Sequence, residues 1–184
     1  NEELKNSVFK MIYYGVDKLN TDEDLFLILI KCIRECGTYY YDYLENEISR
    51  IYDITSNIIT NPKSNDQLII QAYEFWISIS SNEKKIIKYG LNCNKNYITL
   101  CQDNLLKFSI QTMLSTPISE LNNNDDNELP IKSVYILIGN ISHCCTDNFI
   151  RNILGNIETM ININNQVNHR IIGNILLSLI LESP

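Results

Sequence analysis

Apolar residues recur every three or four positions along nearly the whole chain, and polar breaks divide this pattern into eight amphipathic segments. The clearest segment covers about residues 64–82, where Leu68, Ala72, Phe75 and Ile79 fall on one helical face. The alternating apolar and polar pattern of a half-buried strand has no comparable support. The sequence therefore predicts an all-α protein whose helices are joined by short connections.

The first segment is predicted to bury one face, made of Leu4, Val8, Met11, Ile12 and Leu19. The second is predicted to bury Leu25, Ile28, Leu29, Cys32, Ile33 and Cys36. Two polar insertions are expected between helices, a connector over 84–96 and an acidic loop over about 120–129. The eight segments are predicted at about 4–19, 22–43, 46–60, 64–82, 97–114, 130–141, 147–161 and 167–181.

The even-numbered segments recur at a regular interval, which indicates a repeat. Their apolar parts begin near Leu25, Leu68, Val134 and Ile171, at spacings of 43, 66 and 37 residues. Two of these spacings are close to the period of HEAT or armadillo units, and the two insertions account for the longer one. We therefore expect an α-α superhelix, a HEAT-repeat solenoid of about four helical hairpins, and favour it over a compact four-helix bundle. The hairpins are predicted at about 1–44, 45–83, 97–146 and 147–184, all within one solenoid fragment, with the acidic loop inside the third.

Charge and composition narrow the classes of partner. The 184 residues include 15 Lys and Arg against 22 Asp and Glu, a net charge of −7. This balance argues against nucleic acid or an anionic membrane as the main partner and favours basic protein partners. No signal peptide or transmembrane segment is expected, and the start of the chain looks like that of a fragment of a longer protein. Six Cys in such a chain indicate the reducing cytosol or nucleus.

No motif for catalysis, a cofactor or a metal is found. The chain lacks a Gly-rich phosphate loop, an HExxH pair, a nucleophile elbow and a CxxC pair. His143, Cys144 and Cys145 are adjacent, but neighbours on a helix project about 100° apart and do not converge on one ion. We therefore expect no enzyme, no catalytic residues, no cofactor and no metal site.

Two features remain as candidate binding sites. Trp76 follows Glu74 and Phe75, with Glu83 one to two turns further on. The ring of Trp76 belongs either to the core or to a groove surface that holds the stem of a bound Lys or Arg. The acidic loop is either a solvated loop or an anionic arm for a basic partner.

Four stretches of the chain resemble the importin-beta (karyopherin-beta) family of nuclear transport receptors, in the family's order. The run QAYEFW, followed by Asn82 and Glu83, is similar to the family helix that carries Glu-Phe-Trp. The aromatic run YYYDY resembles the end of the preceding inner helix. Residues 130–147 are similar to the helix after the family's acidic loop, and 164–184 to the next inner helix. The likeness covers essentially the whole chain and implies four central HEAT repeats, roughly the sixth to the ninth.

The resemblance implies a function in nuclear import. Outer helices, here about 4–19, 46–60, 97–114 and 147–161, would face solvent, and inner helices would line an acidic concave groove. That groove would bind basic import signals or the importin-alpha adaptor segment, and the GTPase Ran in its GTP form would expel them. Clefts between outer helices would bind Phe-Gly nucleoporins. The expected location is cytoplasm, nucleus and nuclear pore, without direct nucleic-acid binding or membrane insertion.

The resemblance also assigns roles to individual residues. It places Glu74, Trp76 and Glu83 in the groove for cargo or adaptor. It places Asp125, Asp126 and Glu128 in the Ran-contacting acidic loop, and Phe9, Ile51 and Tyr52 in Phe-Gly clefts. This loop is diluted by Asn and lacks the family's Trp, and Lys10 replaces an apolar cleft residue. The alternative is a generic HEAT-repeat scaffold, such as a phosphatase regulatory subunit.

Overall fold

The computed structural model describes residues 2–18, 22–91, 95–116, 129–145, 151, 153–158, 169, 172–173 and 175. Over these residues the chain is helical, with no strand. Six long helices are α1 (Glu2–Lys18), α2 (Glu23–Tyr39), α3 (Ile48–Thr60), α4 (Asp66–Lys88), α5 (Tyr97–Ser115) and α6 (Pro130–Cys144), and a short 3-10 helix spans Tyr41–Tyr43.

The helices form two layers of consecutive pairs. Helix α1 packs on α2, α3 on α4, and α5 on α6. In the even layer (α2, α4, α6), the central helix α4 contacts both of its neighbours, and in the odd layer (α1, α3, α5), α3 contacts α5. The prediction of an all-α, solenoid-like fold is therefore confirmed for the part of the chain that the structure describes.

Local sequence signals fix where these helices begin. Asp22 accepts a hydrogen bond from the amide of Leu25 (3.1 Å) at the start of α2. Asn65 accepts one from the amide of Leu68 (3.0 Å) at the start of α4. Such caps satisfy amide groups that have no partner within the helix. Pro130 occupies the first turn of α6, as expected for a residue without an amide hydrogen.

Two predicted boundaries are wrong. Helix α4 continues to Lys88, so the first part of the predicted 84–96 connector is helical. Gly90 then ends it with a φ of +68°, a conformation that glycine adopts without strain. Helix α2 stops at Tyr39, and the following aromatic residues form the 3-10 helix instead of extending it to residue 43.

The buried face of α1 agrees with the predicted one at Ile12 but not at Val8 and Met11. Phe9, Ile12 and Tyr13 are buried, whereas Val8 is exposed and 74% of Met11 is exposed. The helix carries apolar residues over more than half of its circumference, and the face that contains the rings of Phe9 and Tyr13 is the one that packs. The ring of Phe9 stacks on that of Tyr13 at a centroid distance of 6.0 Å.

The prediction for α2 is likewise confirmed only in part, at Ile33 and Cys36. Ile30, Ile33 and Cys36 are buried, whereas Leu25 and Ile28 are exposed. The packed face is the one toward α4, where the two helices approach closely. A Cβ atom at Gly37 would lie 2.9 Å from a ring carbon of Phe75, so a residue without a side chain is needed there.

The seventh and eighth predicted segments lie mostly outside the described residues. Residues 153–158 are helical, with Ile153 and Ile157 buried, and Ile172 and Ile175 are also buried. The predicted acidic loop, with Asp125, Asp126 and Glu128, lies outside the described residues.

Candidate binding surfaces

Trp76 is a core residue and not a groove residue. Its side chain is fully buried, and its indole N–H donates a hydrogen bond to Thr55 Oγ1 (3.0 Å). The rings of Phe75 and Tyr52 lie edge-on to it at 5.0 and 6.1 Å. The prediction that this ring contacts a bound Lys or Arg is therefore wrong, because α4 directs it toward α3, away from any accessible surface.

Glu83 is also buried, at 1% exposure, so the prediction that it lines the groove is wrong. Its Oε1 accepts a hydrogen bond from the Tyr41 hydroxyl (3.0 Å), and both carboxylate oxygens lie 3.3 Å from the amide nitrogen of Ile98. Burial raises the pKa of this carboxyl, and the hydrogen bonds partly oppose that rise. Glu83 therefore joins three elements inside the protein.

Glu74 does reach a surface. It is half-buried on the face of the even layer that points away from the odd layer, and its Oε1 accepts a hydrogen bond from Ser133 (3.3 Å). A cleft of about 350 Å³ surrounds it, with Arg34 and Lys132 among the lining residues. Arg34 is bonded to Glu35 and to Gln71 (3.0 Å). Glu74 is thus the one predicted groove residue in position to meet a partner, in surroundings of mixed charge.

Polar side chains further along α4 hold the even layer together. Thr38 donates to Ser78 (3.1 Å), and the Asn82 amide donates to the carbonyl oxygen of Gly37 (3.0 Å). On the other side of α4, Asn140 donates to Ser81 (3.0 Å). These contacts fix the spacing of α2, α4 and α6. Glu74 therefore lies on a surface whose three helices are held in place by hydrogen bonds.

Two of the three predicted Phe-Gly residues are buried. Phe9 is 4% exposed and Ile51 is fully buried. The predictions that they form open clefts are therefore wrong, because both side chains belong to the core. Beside Phe9, the ammonium group of Lys5 lies 3.2 Å from the centre of the Tyr43 ring, which it covers.

The third residue, Tyr52, lines a cleft between neighbouring helices of the odd layer. We call it the α3–α5 cleft; it has a volume of about 380 Å³. Tyr52 and Ile48 are half-buried on one side, and Leu100 is 77% exposed on the other. A dry cavity of about 150 Å³ is large enough for a benzene ring. The complete lining is Ile48, Ser49, Tyr52, Asp53, Tyr97, Leu100, Cys101 and Asn104.

Sequence reasoning missed the α5 side of this cleft. Leu100 and Cys101 lie in an apolar stretch that was assigned to the helix without a role. The available signal was the predicted pairing of outer helices, which requires the first turn of 97–114 to lie near 46–60. Two sequence-distant helices build the cleft, so neither contains a motif for it.

No cluster for metal or nucleophilic chemistry is found in the described part of the chain. Among those residues, no three His, Cys, Asp or Glu are placed to hold a metal ion. Burial raises the pKa of the Cys36, Cys101 and Cys145 thiols to about 11, which makes them poor nucleophiles at neutral pH. No helix within the described ranges is long and apolar enough to cross a bilayer.

Comparison with protein-family models and with curated proteins does not identify a relative. No protein-family model matches the chain. No curated protein matches it either.

Proposed function

We propose that this chain is a segment of a nuclear import receptor of the importin-beta class, and that the α3–α5 cleft binds the Phe side chains of Phe-Gly nucleoporins. The observation that carries the proposal is an apolar cleft between neighbouring helices of the odd layer, which the resemblance assigns to Phe-Gly docking. Its polar rim includes Asp53 and Asn104, and its apolar walls include Tyr52 on α3 and Leu100 on α5. An apolar interior with a polar rim suits one aromatic side chain flanked by flexible, polar backbone.

The cleft is firmly supported from below. The ring of Tyr52 lies edge-on to Trp76, which is fixed by its hydrogen bond to Thr55. The cleft wall therefore needs little reordering when a ligand binds, which lowers the entropic cost of association. This assigns Trp76 an indirect part in binding that fits its burial.

Titration of the whole chain with a fluorescent Phe-Gly repeat peptide tests the proposal. We expect binding, no binding of a Ser-Gly peptide of the same length, and a loss of about tenfold in affinity for Leu100→Asp. Leu114→Asp is the matched control, because Leu114 lies on the same helix, is 48% exposed and is not part of the cleft. Equal binding of the two peptides, or equal losses in the two variants, would refute the assignment of the cleft.

The second part of the proposal concerns basic partners. Glu74 offers carboxylate oxygens on the open face of the even layer to a basic import signal or to the importin-alpha adaptor segment. Such contacts weaken as salt screens them, whereas apolar contacts in the α3–α5 cleft do not. We expect a basic adaptor peptide to bind at low salt, Glu74→Gln to weaken it, and Glu3→Gln on α1 to leave it unchanged.

Ran-GTP separates this function from that of a generic helical scaffold. An import receptor should release the basic peptide when Ran-GTP is added, through the predicted acidic-loop contacts of Asp125, Asp126 and Glu128. A scaffold such as a phosphatase regulatory subunit should be indifferent both to Ran-GTP and to Phe-Gly peptides. Indifference to both would favour the scaffold.

A further inference from the structure

Glu83 lies where three parts of the fold meet. It projects from α4, accepts the Tyr41 hydroxyl of the 3-10 helix at 3.0 Å, and accepts the Ile98 amide of α5 at 3.3 Å from each oxygen. At 1% exposure it has no competing contact with bulk water. A single carboxylate on α4 thus ties the segment after α2 to the first turn of α5.

Helix α5 lacks a cap of its own. Asn96, the residue before the helix, has a left-handed backbone with φ of 48°, and its side chain makes no capping hydrogen bond. The first amide groups of a helix need acceptors, and a negative charge there interacts favourably with the helix dipole. Glu83 meets both needs from a different helix.

The turn that Glu83 holds is also a wall of the α3–α5 cleft. Tyr97, Leu100 and Cys101 all line that cleft and all lie in the first turn and a half of α5. The ring of Tyr97 packs edge-on against that of Tyr41, at a centroid distance of 5.3 Å. Releasing the Glu83 contacts frees both the backbone and one ring of this wall.

We propose that Glu83 is a positioning residue for the α3–α5 cleft: without touching a ligand, it holds the first turn of α5 at the distance from α3 that lets an apolar side chain enter. The identity of that ligand as a Phe-Gly segment depends on the proposed function, but the positioning does not. The sequence-based role of Glu83 as a direct groove contact is thereby replaced by an indirect one.

The charge state of Glu83 gives the proposal a pH dependence. The titratable groups beside it are Tyr41, Tyr97, Cys101 and Cys145, and the pKa values of the two thiols are raised to about 11, so both are neutral at neutral pH. An ionised carboxylate accepts stronger hydrogen bonds than a neutral carboxyl. The turn should therefore be held more firmly, and the cleft bind more tightly, as the pH rises through the pKa of Glu83.

The free energy of unfolding should change with pH in the opposite direction to the affinity for the ligand. Because burial raises the pKa of Glu83 above its usual 4.5, the folded state keeps the proton at pH values where the unfolded state has lost it. The contribution of this residue to stability is thus complete below the unfolded value and falls as the pH rises through the folded value. A residue that only stabilised the fold would not produce opposite trends in binding and stability.

Amide hydrogen exchange of residues 98–100, measured by NMR on the whole chain, tests the positioning without any ligand. In Glu83→Leu we expect exchange there about tenfold faster relative to the amides of α6, and a Phe-Gly peptide bound about fivefold more weakly. Glu83→Gln should be intermediate and should lose the rise in affinity that the wild type shows as the pH is raised. Ser80→Ala is the control, because Ser80 is buried on the same helix and its hydroxyl bonds only within α4.

Each result decides a separate point. Unchanged exchange at residues 98–100 in Glu83→Leu would overturn the inference. Faster exchange with unchanged peptide affinity would overturn the link between Glu83 and the cleft. If the wild-type chain binds no Phe-Gly peptide, the proposed function fails and the exchange data still decide the positioning. If Glu83→Leu does not fold, Glu83→Gln decides through its exchange rates and pH profile.

Discussion

At the scale of single residues, side chains that are adjacent in sequence lie in very different surroundings. Glu74, Phe75 and Trp76 are consecutive, but successive side chains on a helix point about 100° apart. Glu74 therefore reaches the open face while the two rings enter the core. The run as a whole suggested one binding motif, and only the direction of each side chain, set by the packing of α4 between α2 and α6, separates its members.

Trp76 should matter for stability and not directly for recognition. Replacing it by Ala removes a fully buried ring and the donor to Thr55, so we expect a loss of about 3–5 kcal/mol in the free energy of unfolding. Urea denaturation followed by circular dichroism measures this loss. Basic-peptide affinity per folded molecule should stay constant.

The control for that experiment is the replacement of an aromatic residue that is exposed to solvent. Tyr89 is 76% exposed at the end of α4, and Tyr89→Ala should change the free energy of unfolding by no more than about 0.5 kcal/mol. Similar losses in both variants would show that the burial of Trp76 has been misread.

At the scale of helices, the sequence predicted where each helix lies along the chain better than which of its faces is buried. The period of 3.6 placed α3, α4 and α6 and most of their core residues, among them Ile58, Phe75 and Leu137. It placed only part of the buried faces of α1 and α2, namely Ile12 in the first and Ile33 and Cys36 in the second, because both helices have apolar residues on two sides. Which side is covered depends on tertiary neighbours, which periodicity does not encode.

Close approach of α2 and α4 gives a test at this scale. In Gly37→Ala the new methyl group would lie 2.9 Å from a Phe75 ring carbon and 3.2 Å from the Phe75 carbonyl oxygen. The backbone oxygen cannot rotate away, so we expect a loss of about 1–3 kcal/mol in the free energy of unfolding.

A matched glycine should respond with the opposite sign. Gly155 is helical, and a Cβ atom there meets nothing within 4 Å. Gly155→Ala should therefore stabilise the protein by up to about 1 kcal/mol through helix propensity. Thermal unfolding of the two variants and the wild type, compared side by side, measures both effects, and equal shifts would contradict the close packing at Gly37.

At the scale of the whole molecule, α4 is the hub of the described structure. It packs against α2, α3, α5 and α6, whereas α1 packs mainly on α2. In a stack of repeats each unit is stabilised by its neighbours, so stability is distributed unevenly along the chain.

This unevenness should be visible in native-state hydrogen exchange. We expect the central amides of α4 to exchange only through global unfolding and those of α1 to exchange fastest among the six helices. Mass spectrometry of peptides from a deuterated sample provides the measurement. Protection of α1 equal to that of α4 would mean that the two layers unfold as one unit.

The sites were less predictable than the fold, for a reason that operates at this largest scale. The α3–α5 cleft and the Glu83 junction each combine side chains from separate helices: Tyr52 with Leu100 in one, Tyr41 with Ile98 in the other. The period of a helix can be recognised within one segment of the sequence. A site built from two helices can be predicted only when the positions of those helices relative to each other are known. Among the predicted site residues that the structure describes, Tyr52 and Glu74 alone lie on surfaces that it leaves accessible.

The uncovered strip on α2 affects how the purified protein must be handled. Leu25, Ile28 and the exposed thiol of Cys32 lie along it, so two molecules that collide there gain by excluding water. Oxidation would then lock such an encounter into a covalent dimer. We therefore expect dilute, reducing storage to keep the preparation homogeneous, and Ile28→Lys, at a position that is 54% exposed, to improve solubility without disturbing the interior.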